Sequence, residues 1–271
     1  MEESNTSEIP TEPGEEELSH SDKIIGIITE PAATYEKTAK FPSRTIDWLL
    51  PLSLILIIVA ITRFVVLSNP NIYFAQKQQQ TEHMEKVFNQ MVASGKMTKE
   101  QAQDQMDKAL DRMDKARTPM GYIFQFISII ILGSIIFFIV TTVFFLFSKF
   151  IFKGDGNYSS ALVANGLSIY IGIIEVIIAS VLSIILGRMI SDVSIASLAQ
   201  MNTSSFGGFL LSKLDIINIW GYIIVSIGLA KMFKASSTAK YYIMVFGLWI
   251  GWSILIWGLT KAVPFLSFFG G

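Results

Sequence analysis

The chain has 271 residues, of which 16 % are charged and 51 % are apolar. Soluble proteins carry about 25 % charged residues, so this composition, with a mean hydropathy of +0.50, excludes a water-soluble fold and requires that most of the chain be solvated by lipid. A net charge of −1 gives no pull toward nucleic acid, and the absence of cysteine excludes disulfides, thiolate metal sites and cysteine nucleophiles.

Residues 1–22 read as a disordered acidic tail. Glu2, Glu3, Glu8, Glu12, Glu15, Glu16, Glu17 and Asp22 precede the first basic residue, Lys23, with Pro10, Pro13 and Gly14 among them. The N-terminus therefore lacks the basic-then-apolar pattern of a cleavable signal peptide. Residues 23–46 change character. Ile24, Ile25, Ile27 and Ile28 lead to Thr29-Glu30-Pro31, where Thr29 can cap a helix that opens on the proline. Ala32, Tyr35 and Ala39 fall on one side of that helix, Glu36, Lys37 and Lys40 on the other, and Pro42 ends it. This is the pattern of an amphipathic segment lying at the membrane interface, or of an ordered linker.

Five apolar runs follow: Trp48 to Leu67, Met120 to Ile151, Ala161 to Leu186, Ile216 to Phe233, and Tyr241 to Val263. Each is continuous and close to the roughly 20 residues that span a bilayer as a helix. The expected architecture is all-α: five transmembrane helices in a bundle over residues 47–271. A polar helical hairpin, residues 69–119, is inserted between the first two. Asn69-Pro70 leaves the first span and Thr118-Pro119 opens the second. Within the hairpin, Met84, Val87, Phe88 and Met91 have helical spacing. Ser94-Gly95 forms a turn, Thr98 to Gln101 forms a capping box, and Ala102, Met106, Ala109, Met113 and Ala116 form a second stripe. Eight Lys/Arg nearly balance seven Asp/Glu there. The stripes close on each other, or Phe88, Met91, Met106 and Met113 form a surface for a partner or a second copy.

Basic residues in the short loops set the orientation. Lys149 and Lys153 follow the second span; Lys231, Lys234 and Lys240 follow the fourth; Lys23, Lys37, Lys40 and Arg44 precede the first. These fall on one side, taken as cytoplasmic, which places the N-terminus inside and the hairpin and C-terminus outside.

Glu175 in the third span, with Asn165 on the same span and Asn218 on the fourth, forms the candidate intramembrane polar site. It suits a packing residue, a proton or ion site, or a lipid or partner contact. Arg63, near the outer end of the first span, can snorkel. Gly247, Gly251 and Gly258 in the last span suggest a close-packing face. Catalytic patterns are missing: there is no HExxH, no histidine in any run, and no Gly-rich phosphate loop, while Asp192 and Asp215 are expected at the surface. No cofactor, metal site or catalytic residue is expected.

Five features occur in a particular order. They are an Ile-rich stretch with Glu30-Pro31, a Pro42-led first span, the loop Lys153-Gly154-Asp155-Gly156-Asn157-Tyr158, Ile219-Trp220 leading to Gly228-Leu229, and Ser236-Ser237-Thr238-Ala239-Lys240 before the last span. This order resembles the Yip domain of the Ypt/Rab-interacting protein (YIP) family in its bacterial form, over residues 23–265 without the hairpin. The resemblance implies five spans and a place in a bacterial inner membrane. The eukaryotic family is linked to Rab GTPases, vesicle traffic and membrane shaping. The eukaryotic N-terminal and Gly/Tyr-rich motifs are missing, so Rab binding does not carry over. The expected role is a non-enzymatic scaffold in contact with the bilayer and with a membrane-protein partner or a second copy. The alternatives are a transporter or transporter subunit using Glu175, and a lipid-handling protein.

Overall fold

A computed structural model describes residues 16–262, and among them every regular element is a helix. Residues 1–15 of the expected tail, and the end of the last apolar run at Val263, lie outside the described residues. Four helices are long and apolar enough to cross a membrane. They are α3 (Ile46–Ser68), α6 (Pro119–Leu146, prolonged by a π-helical turn to Ile151), α7 (Tyr158–Leu186) and α11 (Ala239–Ala262). The fifth apolar helix, α10 (Ile216–Met232), has 17 residues. At 1.5 Å per residue it reaches only about 25 Å, less than a bilayer core of about 30 Å.

The ends of these helices follow from local chemistry. Thr118 caps α6 with Pro119 in its first turn, and Asn157 and Ser160 form a capping box on α7. Gly187 ends α7 at φ +63, a left-handed conformation that glycine adopts freely.

The central helix is α7, which lies against α3 on one side and α10 on the other. Leu167 and Ile171 of α7 meet Ile224 and Leu229 of α10 in one core cluster. Gly166 brings α7 onto the backbone of Trp48 and Asp47 at the start of α3, where a Cβ would collide with the Trp48 backbone.

The N-terminal segment is two helices, α1 (His20–Thr29) and α2 (Pro31–Thr38), and both are built into the bundle. Two expectations are corrected here. The acidic tail does not run to residue 22, because Ser19 and Asp22 form a capping box that starts α1 at His20. Thr29 does not cap the second helix either. Its hydroxyl donates back to Ile25 O at 3.1 Å, and Glu30 takes the cap position without a side-chain bond. Tyr35 is fully buried between α7 and α10; its hydroxyl donates to Ala164 O at 2.9 Å and its ring fills the space over Gly228. Full burial holds the Tyr35 phenol well above its ordinary range. Glu36 pairs with Lys231 of α10, whose ammonium holds that carboxyl below its ordinary range. On the other face of α1, Ile25 and Ile28 are exposed, as suits a helix at the edge of lipid.

The hairpin forms as expected from α4 (Pro70–Ala93) and α5 (Lys99–Lys115), with Gly95 at φ +70 in the turn and the Thr98–Gln101 capping box in place. Val87, Phe88 and Met106 are buried along its seam, with Met91 and Met113 half-buried beside them. Phe88 and Met106 therefore face inward, because two amphipathic helices joined by a tight turn close on their own apolar stripes first. At the opposite end of the bundle, Asp155 N–H donates to Phe233 O at 3.0 Å and Lys240 Nζ to Phe152 O at 3.3 Å. The loops after α6 and after α10 thus meet.

Candidate intramembrane polar site

Shortness of α10 creates the site. Its last turn reaches Phe233, whose ring covers Gly154 and Gly156 just ahead of α7, so the two helices are level at that end. They run antiparallel. Eighteen residues back along α10 from Phe233 lies Asp215, and seventeen residues forward along α7 from Tyr158 lies Glu175. Glu175 and Asp215 come close enough there to act on each other, and Asn218 and Asp192 are near enough to act on Glu175 as well.

Asp215 is buried, whereas the sequence reading expected it at the surface. Its Oδ1 accepts from the backbone N–H of Ile217 and of Asn218, both at 3.0 Å, and caps α10. Its Oδ2 accepts from Val193 N–H at 3.0 Å and ties down the segment between α7 and α10. That segment, with short helices α8 (Ile195–Leu198) and α9 (Phe206–Leu211), fills the space that α10 leaves above its first turn. Ser183 Oγ of α7 accepts from Ile190 N–H at 2.9 Å, and the Arg188 guanidinium donates to Ser197 O and Leu198 O at 3.1 and 2.7 Å. Phe206 lies edge-on to Trp257 of α11 and Phe209 lies tilted against it, and the Trp257 indole N–H donates to Thr203 O at 3.2 Å. Irregular backbone at this depth is tolerated because its polar groups are satisfied by protein.

Glu175 and Asn218 were anticipated together and are found together. Asn165 is elsewhere: it lies ten residues before Glu175, about 15 Å along α7, and its amide donates to Thr141 Oγ1 of α6 at 2.8 Å. It clamps two spans and does not join the site. The last-span glycines are also placed differently from expectation. Among the described residues a Cβ on Gly247, Gly251 or Gly258 would meet nothing within 4 Å, so they make no close contact there.

A second polar centre was not anticipated. Asp47, fully buried at the start of α3, accepts from Lys23 Nζ at 2.6 Å and lies 2.8 Å from His20 Nδ1. The other ring nitrogen of His20 lies 2.8 Å from the Tyr170 hydroxyl of α7. Lys23 is 1 % exposed and also reaches Glu17 at 3.3 Å, beside Arg44 at 3.5 Å. The network joins α1, α3 and α7. Its parts are spread over 150 residues, and an ordinary-looking His20 in an acidic stretch gave no sign of it. The only hint was an aspartate opening an apolar run.

Among the described residues no group of three or more His, Cys, Asp or Glu side chains is arranged to hold a metal ion. Fold and site define an all-α integral membrane protein in which a short apolar helix delivers a buried aspartate to a mid-span glutamate. No family model, no curated protein and no solved structure matches the chain.

Proposed function

We propose that this protein is a non-enzymatic multi-pass membrane scaffold that binds and organises other membrane components. The observation that carries the reading is the position of α11. Only 11 % of its most apolar window is buried, against 22 % for α3 and for α7. It leans chiefly on α10, and its outer face pairs the open Gly247-Gly251 step with exposed Ile243, Trp252 and Leu255. Small residues flanked by large ones let a second helix approach closely in lipid. The resemblance to the Yip domain supports the same reading, as does the meeting of the two loops that carry its motifs.

The orientation that belongs to this reading puts the N-terminus and the Lys-rich loops in the cytoplasm of a bacterial inner membrane, with the hairpin and C-terminus outside. Purification in mild detergent followed by mass spectrometry tests it. A reproducible stoichiometric membrane protein, or a second copy, is expected with the wild type. Gly251→Leu is expected to weaken the association about tenfold or more while leaving the monomer folded. Association that is absent, or indifferent to Gly251→Leu and Gly247→Leu, overturns it.

One observation favours a second reading. The pairing of Glu175 with Asp215 at the start of a short helix is the kind of arrangement that transporters use to hold a proton or cation. Flux in liposomes that is abolished by Glu175→Gln and partly kept by Glu175→Asp is the expected result for transport. Equal behaviour of Gln and wild type in every assay retires it.

A further inference from the structure

A hollow of about 720 Å³ opens where the hairpin joins the bundle. Three elements build it. Arg63 comes from α3, Arg112 and Lys115 from the last turn of α5, and the floor is the face of α6 that runs from Thr118 to Gly133. The rim is cationic and the floor is apolar: Met120, Phe124 and Leu132 are all more than half exposed.

Arg63 stands five residues before the end of α3, about 7–8 Å along the helix from its end. It is exposed on a helix otherwise built for lipid. Among the described residues neither Arg63 nor Arg112 has a carboxylate partner. Lys115 has one, Asp111 at 2.6 Å, in an exposed i,i+4 pair that competes weakly. An unpaired guanidinium at this depth is costly unless an anion meets it. The mount is fixed: Gln125 Nε2 donates to Ala116 O at 2.7 Å, and Gly121 passes so close to Lys115 O that any side chain would collide with it. The basic rim is thus held above the apolar floor, beside the end of α3 and the start of α6.

We infer that this hollow binds an anionic phospholipid of the leaflet on the hairpin's side, its phosphate between Arg63 and Arg112 with Lys115 beside it, and an acyl chain along α6 toward Gly133. Charge complementarity selects the ligand. Guanidinium forks match phosphate oxygens, and a phosphate that brings its own hydrocarbon also covers Phe124 and Leu132. A soluble anion would leave that floor bare. The inference needs only that the chain spans a membrane, and stands whether or not it recruits a protein partner.

The test uses the full chain, delipidated in mild detergent, with phosphatidylglycerol and phosphatidylcholine as probes and native mass spectrometry as the readout. Wild type is expected to retain phosphatidylglycerol about tenfold better than the Arg63→Gln, Arg112→Gln double variant, and to show no such preference for phosphatidylcholine. Leu132→Trp, which fills the floor and leaves every charge in place, is expected to weaken retention as well. It carries the test if the double variant fails to fold. Lys149→Gln, at the other end of the bundle, is expected to change nothing. Retention by both the double variant and Leu132→Trp at the wild-type level overturns the inference. So does competition by inorganic phosphate at equal concentration, which would mean a soluble anion. So does a hollow closed by a second copy, seen as a dimer that excludes lipid.

Discussion

Asp47 is fully buried, accepts from Lys23 and faces His20, so removing it leaves the buried Lys23 ammonium only the longer contact to Glu17 at 3.3 Å. Breaking a buried pair costs about 3–5 kcal/mol, whereas replacing both partners by apolar groups of similar volume is often neutral. Asp47→Ala is therefore expected to lower the thermal midpoint in mild detergent sharply. Asp47→Leu combined with Lys23→Met is expected to recover most of the loss. An Asp47→Ala protein that melts like wild type would mean that this pair does not hold α1 to the bundle. Glu175 differs in kind. It is half-buried and its neighbours are side chains on another helix, so Glu175→Gln keeps the shape and most of the bonding and is expected to fold.

At the scale of elements the hairpin is the most separable part. Its seam holds Val87, Phe88 and Met106, and its outer faces carry exposed pairs such as Lys108 with Asp104. Such surface pairs add little stability, so the seam decides whether α4 and α5 stay together. Met106→Ser removes a buried thioether at a cost of about 2–4 kcal/mol. It is expected to raise amide hydrogen exchange throughout α4 and α5 while exchange in α3, α6 and α7 is unchanged. Deleting residues 70–117 is likewise expected to leave the spans inserted. A deletion variant that fails to insert would show that the hairpin supports the bundle.

For the whole molecule, the proposed orientation rests on the distribution of charge. Lys149, Lys153, Lys231, Lys234 and Lys240 gather at the end where α2 packs on α10, and the charge-balanced hairpin lies at the other. Reporters placed after Lys153 and Lys234 are expected in the cytoplasm, and reporters in the hairpin turn outside. A cytoplasmic hairpin would reverse the assignment. Because α10 is short, a reporter near Met201 is the more telling one: outside, it shows that α10 with its folded-back connector still completes a crossing.

The sequence by itself determined the helical class, the apolar helices, the hairpin and its turn, and the capping box at Thr98. These depend on composition, on 3.6-residue periodicity and on side chains bonding to backbone within a turn, all of which are local. It also drew attention to Glu175 and Asn218, since polar groups inside apolar runs stand out. Tertiary structure alone decided that α10 stops at the level of Glu175, that Asp215 turns inward to meet it, and that Asn165 serves α6 instead. It alone gathered His20, Lys23, Asp47 and Tyr170 into one network and left Gly247, Gly251 and Gly258 open. The physical reason is that periodicity fixes which face of a helix is apolar. It does not fix the neighbour that face meets, or the depth at which two antiparallel helices bring their side chains level.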